Sequence, residues 1–283
     1  QRYGDERRTE ISMEEIDGSF DMEELGSEWW GGEPIWVTAS KQGLRTATMF
    51  WPGSDYKIHD VQPWQHEMFD QKLPDFARVD ILLGWLDVPA AERPKFATLY
   101  FDIVDTAGHI YGPDSPKTKS ATAQVDAAIS RLLDGLEARG LRETTNIVVV
   151  ADHGMAPIND NQIMNVNDWV GQDKLTVVWT GAFAGLAPRK GFEDEVYTAL
   201  IGRKEHGECW KKEELPARFK YGQNPRVPPI ICLADTGWRY ESQSMKVWRN
   251  SGGDHGFDPY DPLMAALFIA NGPDIKAGVK LDT

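Results

Sequence analysis

Three of the six histidines stand beside a glycine and close to an aspartate, and each follows an apolar segment. They are His109, His153 and His255, in the stretches DTAGH, ADHG and GDHG. A lone histidine is more often a hydrogen-bonded structural residue than a metal ligand, but the repetition of this setting favours metal chemistry. The other three histidines lack this setting and are interpreted as structural: His59, His66 and His206.

The carboxylates beside these histidines complete a candidate ligand set, which is Asp105, His109, Asp152, His153 and His255. Carboxylate oxygen and imidazole nitrogen without thiolate suit zinc, or another borderline divalent cation, better than calcium or magnesium. Five such ligands are too many for one catalytic zinc ion and too few for two. A centre with two ions roughly 4 Å apart would therefore need further ligands.

The conformation between Asp105 and His109 is expected to be extended. Gly108 lies inside this spacing, and we expect it to let the backbone curl the imidazole toward the carboxylate instead of continuing a helix. Two further carboxylates are less clear. Asp102 is interpreted as a residue at a strand end, with a supporting role at the metal site as the alternative, and Asp254 is left open.

A strand, helix and strand are expected to position these side chains. The pattern predicts a strand at 96–101, a loop at 102–116, a long helix at 117–139 and a strand at 147–150 that is buried on both faces. Strands joined by such a crossover are parallel, so their following loops open at one edge of the sheet. The two aspartate–histidine pairs should share that edge, where open α/β sheets bind ligands.

The rest of the chain predicts a single α/β domain over 1–283 with a smaller α+β insertion at about 160–245. Outside the insertion we expect irregular structure at 1–28, a helix at 34–43, a strand at 45–50, a loop at 56–76, a helix at 78–86 and a last buried strand at 263–270. Inside it we expect strands at 175–179, 218–221 and 229–233 and a helix at 193–201.

Composition limits the function classes. The formal charge of −14 and the absence of a Lys/Arg stripe argue against nucleic acid as a stable partner. A small anionic substrate would need local positive charge, which a metal supplies. No apolar run approaches the length of about 20 residues that a membrane span needs. The two cysteines, Cys209 and Cys232, do not form a zinc-finger pattern, and they are either bridged, as in an exported protein, or two buried thiols.

Six ordered segments give the chain a family resemblance: GEPIWVTASKQG, FWPGSD, LYFDIVDTAGHIYGP, VVVADHGM, CWKKEELPARFKYG and GDHGFDP. Together they resemble the nucleotide pyrophosphatase/phosphodiesterase family of the alkaline phosphatase superfamily, over nearly all of residues 29–275. The resemblance implies an alkaline-phosphatase-like α/β/α sandwich of three layers with two zinc ions. Asp105, His109 and His255 would hold one ion, and Asp152 and His153 would contribute to the other.

The resemblance also implies a pocket for a nucleotide base. Its counterparts here are Trp51, Pro52, Asp55, Phe69 and Tyr100, with Phe69 where family members place a stacking tyrosine. Each has core packing as its alternative, most strongly for Trp51 and least for Tyr100. Stacking on aromatic faces would give affinity with little discrimination between bases.

Three functional residues of the family have no counterpart in these 283 residues. They are the first metal-binding aspartate, the threonine nucleophile and a nearby asparagine, all expected upstream, and Thr38, Thr46 and Thr48 lie downstream of that region. We therefore expect a chain truncated at both ends, which alone turns over poorly or not at all.

The resemblance implies a zinc-dependent hydrolase of phosphodiester and pyrophosphate bonds that releases nucleoside 5′-monophosphates and works outside the cytoplasm, in an extracellular or periplasmic location. Two alternatives remain open. One is a phosphomonoesterase or phosphonate hydrolase of the same superfamily. The other is a non-catalytic protein that binds zinc or a nucleotide.

Overall fold

The computed structural model describes residues 30–245 and 252–281, so the segment predicted to be irregular at 1–28 lies outside the described residues. The chain divides into two compact units. Of the described residues, the first unit contains Asp105–Thr118 and 148–269, and the second contains 30–104, Lys119–Ile147 and 270–281.

Five helices and fourteen strands make up the described chain. The helices are α1 (Ile35–Lys41), α2 (Asp75–Trp85), α3 (Ile103–Tyr111), α4 (Pro116–Ala138) and α5 (Glu193–Leu200). The strands are β1 (Thr46–Met49), β2 (Gln65–Glu67), β3 (Phe96–Leu99), β4 (Ile147–Val150), β5 (Ala156–Pro157), β6 (Ile163–Asn165), β7 (Leu175–Trp179), β8 (Phe183–Pro188), β9 (Gly202–Lys204), β10 (Gly207–Lys211), β11 (Ile230–Ala234), β12 (Arg239–Glu241), β13 (Gly253–Asp254) and β14 (Phe268–Asn271).

The second unit is built on the parallel sheet β2–β1–β3. All four residues of β1 are buried, and Ala47 lies between Gln65 and Ala97 in the register. The side chains of Thr46 and Thr48 are fully buried in this strand. Both threonines therefore belong to the packed interior of this unit, and the location of the nucleophile outside these 283 residues stays a prediction.

Helices α2 and α4 pack closely in the same unit. Val79 and Leu83 of α2 form a buried cluster with Ala128 and Leu136 of α4. A Cβ atom at Gly135 would lie 2.3 Å from the Leu83 side chain, so a larger residue there would force Leu83 to move. The apolar spacing predicted both helices, and the structure confirms them, although α2 begins at Asp75, three residues before its predicted start.

A buried arginine that the sequence did not reveal joins α2 to the end of β3. Arg78 is 2 % exposed, and its Nη1 donates to Asp102 Oδ1 at 2.7 Å and to the Tyr100 carbonyl at 3.1 Å. Its Nε donates to the Leu73 carbonyl at 2.9 Å. The guanidinium also lies over the ring of Phe50, 5.0 Å from the centroid. Asp102 is therefore one partner of a structural ion pair.

Glu33 precedes α1 and accepts hydrogen bonds from Lys41 at 2.5 Å, Thr38 at 2.7 Å and His59 at 3.3 Å. The Lys41 bond, followed by the Thr38 bond, lowers the pKa of Glu33 from 4.5 to about 2. The resulting stability is present above pH 4.5 and is lost as the pH falls through about 2. We expect an NMR titration to give a midpoint near 2, and Lys41→Met to move it toward 4.5. A Lys57→Met control should leave it unchanged, and a midpoint near 4.5 in the unmodified chain would contradict the bond network.

The first unit contains an antiparallel sheet in the order β7–β8–β11–β10–β9, packed with α5. Cys209 of β10 lies opposite Cys232 of β11, and the two form a disulfide. The bridged alternative is therefore correct. The predicted strand at 218–221 is wrong, because Ala217–Phe219 is a turn of 3₁₀ helix and Lys220 is left-handed at φ 48°. That this α+β region is an insertion stays a prediction.

Two predictions about the burial of strands are also wrong. β4 pairs with β14, and Val148 and Val150 are 52 % and 49 % exposed, so β4 is not buried on both faces. The expected buried strand at 263–270 begins only at Phe268, which is 57 % exposed. An apolar run shows that a strand is able to be buried, but the elements packed against the strand determine which of its side chains are shielded from solvent. β3 and β4 pair within different sheets, so their predicted parallel arrangement stays a prediction.

Candidate metal centre

Helix α3 places Asp105 and His109 on one face, four residues apart. Asp105 Oδ1 lies 3.5 Å from His109 Nε2. The expectation of an extended segment around Gly108 is wrong. A Cβ atom there would lie 3.1 Å from the side chain of Met155, so this glycine allows a close approach inside an intact helix and does not bend the chain.

Backbone contacts join α3 to the two loops that carry the other ligands. β5, just after His153, pairs with β13, just before His255, so that Gly253 lies opposite Pro157. A Cβ atom at Gly253 would lie 2.7 Å from the Gly108 carbonyl oxygen, so this position also requires glycine. The glycines that marked the histidines in the sequence therefore bring three distant segments together.

The side chains meet within the first unit. Asp105 Oδ1 lies 3.7 Å from His255 Nε2, and the rings of His153 and His255 are stacked with centroids 3.5 Å apart. One ligand atom from each of Asp105, His153 and His255 lies within 4.8 Å of the other two. The ring of His109 lies 4.9 Å from that of His255. For metal–ligand distances of about 2.0–2.1 Å, neighbouring ligands of a tetrahedral zinc are roughly 3.4 Å apart, so this spacing fits an ion.

Hydrogen bonds to backbone carbonyls orient two of the imidazoles. His109 Nδ1 donates to the Gly253 carbonyl at 3.0 Å, and His153 Nδ1 donates to the Gly154 carbonyl at 2.8 Å. In both rings this leaves the lone pair on Nε2, the atom that faces the cluster. These carbonyl partners were not predicted, and the glycines following or facing each histidine were their only sequence signal.

Asp105 supplies the clearest test of whether an ion fits. Its Oδ1 is buried and has no hydrogen-bond partner among the described residues. A buried carboxylate oxygen without a partner is unfavourable, and a bound cation would satisfy it. The donor set of carboxylate and imidazole, with Nε2 available on the histidines, fits zinc.

Burial lowers the pKa of His255, and the neighbouring His153 lowers it further, against the opposing effect of Asp105. The neutral imidazole that binds a metal is thereby favoured. Asp254, whose role was open, accepts a hydrogen bond from the His255 amide at 2.9 Å and so helps to hold the loop.

Asp152 lies at the edge of the cluster. Its side chain is 79 % exposed, and its Oδ2 lies 3.4 Å from His153 Nε2. All five predicted ligands therefore form one connected group in the first unit. Their division between two ions, with His153 assigned away from His255, stays a prediction.

Gly154 is expected to be essential for the cluster. A Cβ atom there would lie 2.1 Å from the Leu263 carbonyl oxygen, while its amide donates to the Met264 carbonyl at 3.0 Å. Gly154→Ala should lower the free energy of unfolding by about 1–3 kcal/mol through this overlap and should weaken zinc binding. Gly31→Ala, at a position with open space, is the matched control for urea unfolding. Equal stability of the two variants would contradict the close approach.

The residues proposed for the base pocket lie in the second unit. The rings of Phe69 and Tyr100 are 6.0 Å apart in an edge-on arrangement, and Phe69 is 52 % exposed. Trp51 packs against the buried cluster around Trp36, which supports its core-packing alternative. Asp55 has a buried Oδ1 without a hydrogen-bond partner among the described residues, and burial raises its pKa. Pro52 is exposed in the turn between them.

The family model for type I phosphodiesterase / nucleotide pyrophosphatase matches residues 6–258, which is most of the chain. The chain belongs to this family. The resemblance found in the six sequence segments is thereby confirmed.

Relatives within the type I phosphodiesterase family include proteins named as venom phosphodiesterases and as ectonucleotide pyrophosphatase/phosphodiesterases. A venom phosphodiesterase from Naja atra is 36 % identical over 261 residues, which cover 88 % of this chain and 31 % of the relative. Human ectonucleotide pyrophosphatase/phosphodiesterase family member 1 is 34 % identical over 270 residues, which cover 92 % of this chain and 29 % of the human protein. The chain thus spans less than a third of the length of these relatives.

The solved structure of murine ectonucleotide pyrophosphatase/phosphodiesterase 5 matches with a TM-score of 0.82 at 31 % identity, over 87 % of this chain and 65 % of that one. An inactive variant of the same murine protein in complex with AMP matches with a TM-score of 0.81. The predicted α/β fold of the alkaline phosphatase type is therefore confirmed. In the described part of this family member, no helix is both long and apolar enough to cross a bilayer.

Proposed function

We propose that the chain carries the metal-binding part of a zinc-dependent enzyme that hydrolyses phosphodiester and pyrophosphate bonds in nucleotides. The observation that supports this most is the cluster of Asp105, His153 and His255, in which a buried carboxylate oxygen without a hydrogen-bond partner among the described residues faces imidazole nitrogens. Family membership supplies the reaction class. The number of ions, the nucleophile and the product are part of this proposal.

Two bound zinc ions would act as Lewis acids that stabilise charge on the phosphoryl oxygens and activate a hydroxyl nucleophile. Asp105, His109 and His255 are proposed to hold one ion, and Asp152 and His153 to contribute to the other. His109 and His153 keep Nε2 available because Nδ1 of each is bound to a carbonyl. The nucleophile is proposed to be the family's threonine, which has no counterpart in these 283 residues. The product of the reaction is proposed to be a nucleoside 5′-monophosphate.

Substrate recognition is proposed to use Trp51, Pro52, Asp55, Phe69 and Tyr100. The exposed face of Phe69 is suited to stacking with a base, and the half-buried Asp55 offers an oxygen without a hydrogen-bond partner among the described residues. The disulfide and the venom relatives support an extracellular location.

Calorimetry with AMP tests the proposal without requiring the nucleophile. The zinc-loaded chain should bind AMP at least about tenfold more tightly than the metal-free chain, because the phosphate gains two cationic partners. Inorganic phosphate should bind zinc-loaded chain more weakly than AMP, since it lacks the base. Equal AMP binding with and without zinc would contradict the proposal, and equal binding of phosphate and AMP would favour the phosphomonoesterase alternative.

A further inference from the structure

An ion pair outside the ligand set holds the loop that carries His255. Arg218 Nη1 donates to Asp258 Oδ1 at 2.7 Å, and Nη2 donates to Oδ2 at 2.5 Å. Asp258 lies three residues after His255, and its Oδ1 also accepts from the Tyr260 amide at 3.0 Å. The Arg218 guanidinium therefore binds the Asp258 carboxylate, which in turn accepts a hydrogen bond from the backbone of the same loop.

Aromatic contacts fix the guanidinium in place. Arg218 lies over the ring of Phe219 at 4.1 Å and over that of Tyr260 at 5.4 Å. The Tyr260 hydroxyl donates to the Arg218 carbonyl at 3.4 Å, and Phe219 meets the ring of Trp210 on β10 at 6.0 Å. Contacts with these two rings restrict the Arg218 side chain, so it loses less conformational freedom on forming the ion pair than an ordinary surface arginine does.

The remainder of the loop is connected to the other ligand segment. The Asp261 amide donates to the Asp258 carbonyl at 2.9 Å, and the Asp261 carboxylate accepts a hydrogen bond from the hydroxyl of Thr236. The Met264 amide donates to the Asp261 carbonyl, and the Met264 carbonyl accepts from Gly154 at 3.0 Å, next to His153. Backbone hydrogen bonds therefore connect the loop of Asp258, which also carries His255, to the segment that carries His153.

We infer that Arg218 is a positioning residue for the metal centre, acting through Asp258 to hold His255 in the geometry that binds an ion. This inference rests on the proposed metal site. A contribution to global stability alone does not account for the pair, because its side chains are 45 % and 31 % exposed and exposed pairs stabilise by only about 0–1 kcal/mol. Partners that orient metal ligands typically change metal affinity 10–100-fold.

The test is zinc affinity of the 283-residue chain, measured by competition with a chromogenic chelator. Arg218→Gln should lower zinc affinity by about tenfold or more, and Arg218→Lys, which keeps the charge but loses the fork, should lower it less. In the metal-free chain, amide hydrogen exchange at 257–264 should accelerate in Arg218→Gln by about tenfold. The midpoint of thermal unfolding should change little.

Arg131→Gln is the matched control, because Arg131 forms an exposed two-bond pair with Asp80 at 2.6 and 2.8 Å in the second unit. It should leave zinc affinity and the exchange of 257–264 unchanged. If the unmodified chain binds zinc and Arg218→Gln binds it within twofold, the positioning role is overturned while the metal site stands. If the unmodified chain binds no zinc, the proposed function fails and the positioning role fails with it.

Discussion

Asp105→Asn should lower the zinc affinity of the chain at least roughly 100-fold, because loss of an orienting partner alone costs 10–100-fold and Asp105 is itself a proposed ligand. The change removes the only carboxylate in the three-residue cluster with His153 and His255. In the metal-free chain the same variant should unfold at the same or a higher temperature. In the unmodified chain Asp105 Oδ1 is buried without a hydrogen-bond partner among the described residues. The charge of this carboxylate therefore destabilises the metal-free fold while it favours binding of an ion.

Asp114→Asn is the control for this variant, since Asp114 is an exposed carboxylate in the same segment of the first unit. It makes the same change of charge and should leave zinc affinity within about twofold. Equal affinity of Asp105→Asn and the unmodified chain would remove Asp105 from the ligand set. A large loss of stability in metal-free Asp105→Asn would show that the carboxylate is a structural residue.

Arg78→Met should lower the free energy of unfolding by about 3–5 kcal/mol, because it leaves the buried Asp102 without its cation. The pair is joined at 2.7 Å, and the side chains are 2 % and 12 % exposed. Asp75, 5 % exposed and 3.9 Å from Arg78, would lose the same neighbour. Urea unfolding monitored by circular dichroism measures the change.

Arg131→Met supplies the comparison for Arg78→Met. Its pair with Asp80 is about half exposed on both sides, so its loss should lower the free energy of unfolding by less than about 1 kcal/mol. The double variant Arg78→Met/Asp102→Leu should be more stable than Arg78→Met alone, because it removes the stranded charge. Equal effects of Arg78→Met and Arg131→Met would contradict the structural role of the buried pair.

Local sequence patterns correctly predicted the helices and strands whose apolar faces are buried by other elements of the described chain. α4 repeats apolar residues at helical spacing, and Ala128 and Leu136 are indeed buried against α2. β1 was likewise predicted within one residue at each end. The same reasoning failed for β4, where the apolar run is correct but Val148 and Val150 remain about half exposed.

Sequence reasoning singled out residues that the structure places together, and their role as metal ligands stays a prediction. Residue type and the adjacent glycines brought out Asp105, His153 and His255, which the structure places together. Gly108 misled the prediction because a glycine needed for packing looks the same in sequence as one that breaks a helix. Arg78 and Arg218 were missed because each acts through a contact with a residue more than twenty positions away.

Crystals of the chain soaked in zinc, with diffraction data collected on both sides of the zinc absorption edge, test the metal centre most directly. We expect an anomalous peak about 2.0–2.2 Å from Asp105 Oδ1 and from the Nε2 atoms of at least two of His109, His153 and His255. Anomalous peaks confined to other surface groups, with these side chains bound to none of them, would contradict it.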